Sequence, residues 1–429
     1  MAGIEDHPLR YDLAQELHAR PFPVLNPPCH AVFLAIKREK DAAKRDRAAD
    51  RAHLLALLDR FGAAHPPEGA THFFGPMGRF TIKWECHSEF VTYTVFAPGV
   101  MERPFDPGAF DVYPDDWLAA APGKVLSAVL VRVEARRDED DKALSARLDT
   151  WFDPGSVAAS YVNDRAAVVA TDFRIDPTGH LRMAVFASPE ASERRLGRIV
   201  QRLLEIETYK VMAMLALPVA RRINAQMSGA DTQLEAVVGQ MRADTVDAEA
   251  ALHELLDISA ELEHLQVAHG YRFSASDAYA EIVRARIEVL RETSFRGRQG
   301  LREFMMRRFE PSMRTLRAAA GRLDRLTERA ERAGNLLRTR VDVARSAENQ
   351  SLLESMNRRA DLQLRLQRTV EGLSVVAISY YGVNLASYLL AAPAKALLGL
   401  DTAALTAALV LPVVALVWLA IRQIRRSIE

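Results

Sequence analysis

Two long uncharged apolar runs stand near the C-terminal end of the chain, at residues 372–392 and 402–421. Each holds the roughly twenty residues that a helix needs to cross about 30 Å of hydrocarbon. The segment between them opens with Pro393 and is too short to form a domain. A buried soluble hairpin is the alternative, but two adjacent uncharged runs favour a two-helix transmembrane hairpin over residues 370–429.

Basic residues flank the outer ends of both runs, whereas the connection between the runs carries only Lys395 and Asp401. The flanking arginines are Arg358, Arg359, Arg365 and Arg368 before the first run, and Arg422, Arg425 and Arg426 after the second. Because basic residues beside membrane-spanning helices stay in the cytoplasm, both termini are predicted to be cytoplasmic. The lipid bilayer is therefore an expected partner of this multi-pass chain.

Residues 1–188 contain short apolar runs that are typical of strands. Strands are predicted at residues 31–36, 79–87, 90–97 and 125–133, with two or three more between residues 156 and 187. The second and third of these flank Ser88 and Glu89 and predict a β-hairpin. Helices are predicted at residues 41–61 and 139–152. Without a regular βαβ repeat, these elements predict an α+β domain with a largely antiparallel or mixed sheet.

From residue 189 to residue 369 the pattern is helical almost throughout. Ser188 and Pro189 predict the start of the first helix, and Pro218 predicts that this helix bends or ends. Gly270, followed closely by two aromatic residues, predicts a turn. Pro311 predicts an interruption or a kink. The region is therefore predicted to be a series of long helices.

Apolar residues recur every seven positions in two parts of this helical region. The first series is Leu234, Met241, Ala248, Leu255 and Leu262, and the second is Leu316, Leu323, Ala330, Leu337 and Ala344. A seven-residue apolar repeat predicts coiled-coil-like packing against a neighbouring helix. We therefore expect residues 189–369 to form a helical stalk region through which the chain forms a homo-oligomer.

The charges and cysteines narrow the class of protein. The 56 basic and 56 acidic side chains balance, which argues against a protein that coats nucleic acid. Cys29 and Cys86 are the two cysteines, and their spacing suggests neither a disulfide framework nor a zinc site. The first thirty residues are polar and lack the apolar segment of a secretory signal. A cytoplasmic location for the N-terminal part is expected.

Few residues suggest a catalytic, metal-binding or cofactor-binding site. His18 and Arg20 lie in a proline-rich arm and could form an anion-binding or catalytic pair, or could instead satisfy backbone carbonyls and a local carboxylate. Cys86 and His87 fall at the predicted hairpin tip, where a nucleophile or metal site would need a third partner. No GxGxxG or GxxxxGK[ST] motif follows a predicted strand. No cofactor, no catalytic residue and no enzymatic activity are therefore predicted.

Several segments together resemble a family of uncharacterised bacterial membrane-anchored proteins that share a domain of unknown function. They are ELHARP at 16–21, YRFSA at 271–275, RTRVD at 338–342, ESMNRRA at 354–360, LQLRLQRTVEGLS at 362–374 and AISYY at 377–381. The likeness covers nearly the whole chain. It implies anchoring in the bacterial inner (plasma) membrane, and it implies no reaction.

A second resemblance, in architecture, is to the CorA family of magnesium channels, in which a Gly-Met-Asn motif closes the first membrane helix. Here Gly382, Val383 and Asn384 are similar, although several apolar residues follow Asn384 before the connection. This resemblance implies that Asn384, with Gly382, helps to bind a divalent cation. The alternative is that Gly382 permits close helix contact and Asn384 bonds to a neighbouring helix.

Three function classes follow from these patterns. The favoured one is a membrane-anchored, cytoplasm-facing structural or interaction protein, because the helical repeats offer association surfaces and no catalytic constellation is encoded. The alternative is a CorA-like divalent cation channel or transporter, which rests on topology and on Asn384. A membrane-bound enzyme has only scattered histidines and carboxylates in its favour.

Overall fold

One nine-stranded sheet dominates the N-terminal part of the protein in a computed structural model, which describes residues 4–16, 21–39, 46–136, 140–241, 248–398 and 401–428. The strands are β1 (Cys29–Lys37), β2 (His72–Met77), β3 (Phe80–Cys86), β4 (Phe90–Pro98), β5 (Lys124–Ala135), β6 (Ala158–Val162), β7 (Ala167–Ile175), β8 (Leu181–Ala187) and β9 (Thr293–Ser294). Their order in the sheet is β2-β3-β4-β1-β5-β8-β7-β6-β9. β5 and β8 are parallel, and the other neighbours are antiparallel. The N-terminal domain is thus α/β with a mixed sheet.

The predicted strands correspond to β1, β3, β4 and β5, and the region 156–187 contains β6, β7 and β8. The sequence does not predict β2, which contains Gly75 and Pro76. Proline is tolerated in this strand because β2 lies at the edge of the sheet, where a missing backbone donor breaks no central ladder. The two-residue strand β9 is too short to leave a pattern.

Helices cover the sheet and create its core. They are α2 (Arg47–Arg60), α3 (Asp115–Ala119) and α4 (Asp141–Trp151), and the short helix α1 (Arg10–Glu16) precedes β1 in the chain. Asp46 caps α2 and Asp140 caps α4 through side-chain oxygens that accept backbone N–H bonds. Nearly every position of β1 is buried, as expected for a strand covered on both faces. The core beneath α2, α3 and α4 includes Leu54, Leu57, Trp84, Tyr93, Trp117, Leu144 and Leu148.

His53 fastens α2 to this core through a self-contained polar network. Its Nε2 lies 3.0 Å from the backbone oxygen of Trp117, so Nε2 carries the proton and Nδ1 accepts from the Tyr93 hydroxyl at 2.9 Å. The Trp117 ring stacks on the imidazole at 3.9 Å, and its Nε1 donates to the His53 carbonyl at 2.7 Å. Burial lowers the pKa of His53, which keeps the ring neutral. The network is therefore structural.

Long helices follow the sheet. They are α5 (Glu193–Met214), α6 (Ala216–Gln240), α7 (Ala248–Val289), the short α8 (Leu301–Phe304), α9 (Glu310–Leu398) and α10 (Thr402–Ile428), with a π-helical turn Met305–Phe309 before α9. The break between α5 and α6 confirms the predicted effect of Pro218, because proline cannot donate to the carbonyl four residues before it, at Met214. The interruption predicted at Pro311 corresponds to the start of α9, because this proline lies in the first turn of that helix.

Two predicted boundaries are wrong. α5 begins at Glu193 after Ser192, later than the predicted start at Pro189. The predicted turn at Gly270 does not exist, since α7 runs through this residue without a break. A glycine inside a helix costs only about 1 kcal/mol relative to alanine. Burial of neighbours such as Leu265 and Phe273 outweighs that cost.

The seven-residue stripes are buried along much of their length. Leu234, Leu255, Leu262, Leu316, Leu323, Ala330 and Leu337 are buried, whereas Ala344 is exposed. From residue 342 to residue 370 every position of α9 is exposed. The helices therefore pack in their first part, and α9 continues as a solvent-facing helix.

The chain divides into two compact units. The N-terminal unit comprises residues 1–243 and 253–333 and contains the sheet, and the C-terminal unit comprises residues 244–252 and 334–429. Two helical stretches, Leu301–Ala394 and Thr402–Gln423, are long and apolar enough to cross a membrane. They include the two predicted apolar runs. The predicted division of the chain at residues 188 and 369 stays a prediction.

Candidate functional site

The tip of the β3–β4 hairpin carries a fully buried carboxylate. Glu89 lies between the two strands, with 0% of its surface exposed. An ionised carboxylate in the protein interior is tolerated only when cations and hydrogen-bond donors surround it. The neighbours of Glu89 therefore define a candidate polar site in the N-terminal unit.

Helix α7 provides most of the partners of Glu89. The Arg272 guanidinium forms an ion pair with Glu89 Oε2. The Tyr271 and Tyr279 hydroxyls donate to Oε1 at 3.3 Å and 3.0 Å. Lys37, at the end of β1, places its Nζ 3.9 Å from Oε2. One carboxylate thus joins the sheet to α7 through one guanidinium and two phenols, and Lys37 of the sheet adds a second cation.

The phenols act as donors because they stay protonated. Burial raises the pKa of Tyr279, and the negative charge of Glu89 raises it further. The same two causes, in the same order, raise the pKa of Tyr271. Arg272 and Tyr279 are seven residues apart, which places them on one face of the helix. Tyr209 of α5 stacks on Tyr279 at 5.6 Å and fixes its ring.

A basic cavity of about 420 Å³ opens beside this carboxylate. Its cationic lining residues are Lys37, Arg38, Lys124 and Arg272, and Glu39 is its acidic lining residue. The remaining wall is apolar and consists of Val125, Leu126, Leu215 and Val219. This arrangement suits an anion that also carries a carbon skeleton.

A second cavity, of about 220 Å³, lies between the sheet and α5 and has balanced charges. The Glu205 carboxylate in its wall accepts from Gln201 at 2.8 Å and pairs with Arg286. Glu85, also in the wall, forms an ion pair at 3.2 Å with Lys83, whose side chain is almost completely buried. These charges therefore neutralise each other within the wall of the cavity.

The structure describes only some of the predicted cysteine and histidine candidates. His18 and Arg20 lie outside the described residues. Cys86 and Cys29 are buried, and burial raises the pKa of the Cys29 thiol to about 12, so it stays protonated. In the described part of the chain, no three His, Cys, Asp or Glu side chains form a group that could hold a metal ion.

The predicted intramembrane residues lie on α9 in the C-terminal unit. A Cβ built on Gly382 would stand 3.0 Å from Val413 Cγ1, so α9 and α10 approach closely at this point. Val383 is buried and Asn384 is partly buried. Close contact through glycine is what packing between apolar helices requires. Coordination of a cation by Asn384 stays a prediction.

A comparison with known protein families identifies the family of this chain. A family described as "Protein of unknown function (DUF3422)" matches residues 5–428. The chain belongs to this family. The expected membership in an uncharacterised family is thereby confirmed. No curated protein and no solved structure matches the chain.

Sequence reasoning misses the central residue of this DUF3422 site. Glu89 looks like an ordinary turn residue between two strands, and the partners that α7 provides lie more than 180 positions later. One signal was present, because the segment YRFSA, which carries Tyr271 and Arg272, contributes to the family resemblance. The predicted turn at Gly270 hid the helical spacing that brings these side chains to one face.

Proposed function

We propose that this DUF3422 protein is anchored in the bacterial inner membrane and acts there as a structural or interaction protein, not as an enzyme. The exposure of its apolar helices carries the proposal. Only 11% of the most apolar window of Leu301–Ala394 and 6% of that of Thr402–Gln423 are buried. Apolar surface of this extent is unfavourable in water. A core helix of a soluble protein would be mostly buried.

Features at the end of the second apolar run support insertion as a helical hairpin. The Arg422 guanidinium lies over the Trp418 ring, 5.0 Å from its centroid. Trp and Arg are the residues that anchor a spanning helix at the membrane surface. Since the arginine-rich flanks lie on the outer sides of both runs, both termini and the N-terminal unit face the cytoplasm in this proposal.

The solvent-facing part of α9 supports self-association. Residues 342–370 are exposed on all sides, including Leu352, Met356, Leu366 and Val370. A single helix in water is only marginally stable, and most helices of proteins depend on packing of an apolar face. We propose that a second copy of the chain packs on this segment and forms a homo-oligomer.

The alternative function, a CorA-like cation channel, has less support. Its candidate residues are Gly382 and Asn384. The close approach of Gly382 to Val413 favours a packing role for this segment. A channel would instead require the Asn384 amide to replace water around a passing cation.

Membrane anchoring can be tested with the full chain. Membranes from producing cells are washed with alkaline carbonate, and the protein is expected to stay in the pellet. Leu411 and Leu416 of α10 are well exposed, so changing both to Arg removes no packed contact. In a bilayer each such Arg costs on the order of 3 kcal/mol, and the double variant is expected to leave the pellet. Release of the wild-type chain by carbonate would refute the anchor.

The orientation is tested with single cysteines and a reagent that does not cross membranes. Asp401→Cys, in the connection, is expected to be labelled from outside, and Glu354→Cys only after permeabilisation. Cys29 and Cys86 are buried and give little background. Labelling of Glu354→Cys in intact cells, without labelling of Asp401→Cys, would reverse the proposed topology.

A further inference from the structure

The end of the β1–β5 ladder places two cations directly opposite each other. Lys37 and Lys124 are cross-strand partners in this antiparallel pair. Like charges in that arrangement destabilise a sheet. Gly123 holds the register here, because a Cβ on it would stand 2.8 Å from the Lys37 carbonyl carbon and oxygen. The two lysines therefore meet in a fixed arrangement in which Glu89 offsets part of the charge of Lys37.

Two further cations converge on the same place. Arg38 follows Lys37, and Arg272 enters from α7, so that all four line the basic cavity. The ion pair with Glu89 holds the Arg272 guanidinium in a defined position. In the part of the chain that the structure describes, neither Arg38 nor Lys124 forms an ion pair. The cavity thus has excess positive charge and one preorganised guanidinium.

We propose that this cavity binds a phosphate-bearing anion. A phosphate group carries the charge density and the oxygen acceptors that several converging Lys and Arg side chains satisfy. The volume of about 420 Å³ exceeds that of a phosphate ion and lies within the range of small-ligand sites. The apolar wall, in which Val125 is 62% exposed, accommodates the carbon part of a phosphate ester.

The same chemistry occurs in soluble phosphate esters and in the headgroups of anionic phospholipids. Both sources provide a phosphate next to an apolar or carbon-rich group, and the cavity meets both requirements. The inference rests on the N-terminal unit alone and does not depend on membrane anchoring. Failure of one proposal therefore leaves the other standing.

The test uses the full chain in an uncharged detergent, with thermal unfolding followed by tryptophan fluorescence. Inorganic phosphate is titrated against chloride at constant ionic strength, and phosphate is expected to raise Tm in a saturable way because it binds the folded state. Lys124→Ala is expected to weaken phosphate binding at least tenfold. Without phosphate, the same variant should be as stable as the wild type or more stable, because a like-charge contact is removed.

Control variants separate this site from a general effect of charge. Arg38→Ala is expected to reproduce the loss of phosphate binding, whereas Lys142→Ala, at an exposed lysine of α4, should retain wild-type binding. The source is distinguished by comparing glycerol phosphate in detergent with nanodiscs that contain phosphatidic acid or only phosphatidylcholine. The proposal is overturned if no phosphate compound raises Tm, or if Lys124→Ala and Lys142→Ala respond as the wild type does.

Discussion

Replacing Glu89 by Gln is the most direct way to test whether the charge of this carboxylate stabilises the contact between the sheet and α7. The substitution keeps the size of the side chain and an acceptor for the Tyr279 hydroxyl, but it removes the negative charge. The side chains of Arg272 and Lys37 are only 19% and 10% exposed, so both lose their countercharge in a poorly solvated place. Removing one partner of a buried ion pair typically costs about 3–5 kcal/mol.

Thermal unfolding of the detergent-solubilised full chain measures this loss. Trp84 and Trp117 lie in the core of the N-terminal unit and report its unfolding. A cost of this size is expected to lower Tm by roughly 10 °C. Glu68→Gln is the matched control, because Glu68 is exposed in a loop, and it should change Tm by no more than about 1–2 °C.

A double-mutant cycle shows whether the cost comes from the ion pair. The cycle compares Glu89→Leu, Arg272→Met and their combination. Each single variant leaves one charge buried with a weaker set of partners, whereas the double variant removes both charges. The double variant is expected to be clearly more stable than the sum of its single variants predicts, with a coupling on the order of 2 kcal/mol. Additive effects, or a Glu89→Gln variant as stable as Glu68→Gln, would refute the assigned role of this carboxylate.

Three other outcomes follow from the structure. Because burial lowers the pKa of His53 below its usual 6.5, the folded state binds fewer protons than the unfolded state, and the stability that this residue contributes is lost as the pH falls below 6.5. His53→Gln should therefore reduce the fall in Tm between pH 8 and pH 5. Leu255 and Leu262 are buried, so changing both to Asp should cost more than about 4 kcal/mol and disrupt the N-terminal unit, as judged by Tm and particle mass. Asn384→Ala should loosen the assembly by about 0.6 kcal/mol without changing membrane association, whereas loss of a wild-type magnesium flux in liposomes would instead support the channel alternative.

The sequence predicts those elements whose signal is local. Short apolar runs reveal β1 and β5, β-branched and aromatic residues reveal β3 and β4, and the uncharged runs reveal the apolar parts of α9 and α10. β2 is missed because Gly75 and Pro76 disguise an edge strand. The turn at Gly270 is predicted wrongly, since glycine propensity is a weak effect that helix packing overrides.

The charged site depends on pairings that no local pattern records. The opposition of Lys37 and Lys124 follows from strand register, and a shift of β5 by one residue would move the Lys124 side chain to the other face. The environment of Glu89 follows from how α7 packs on the sheet, many residues away in sequence. Long-range geometry of this kind becomes visible only when the sheet order is known.

Arg272 contacts the Glu89 carboxylate and also lines the basic cavity, so this residue links the two sites. Its guanidinium pairs with Glu89 and also lines the cavity in which we propose that phosphate binds. Glu89→Gln removes a negative charge next to that cavity but keeps an oxygen that accepts from Arg272 and holds its guanidinium in place, so it should increase phosphate affinity while it lowers the stability of the unliganded protein. A variant that is merely misfolded would lose both phosphate affinity and stability. If phosphate affinity falls together with Tm in Glu89→Gln, the cavity does not act through the electrostatics of Arg272, and the charge argument for the anion site is wrong.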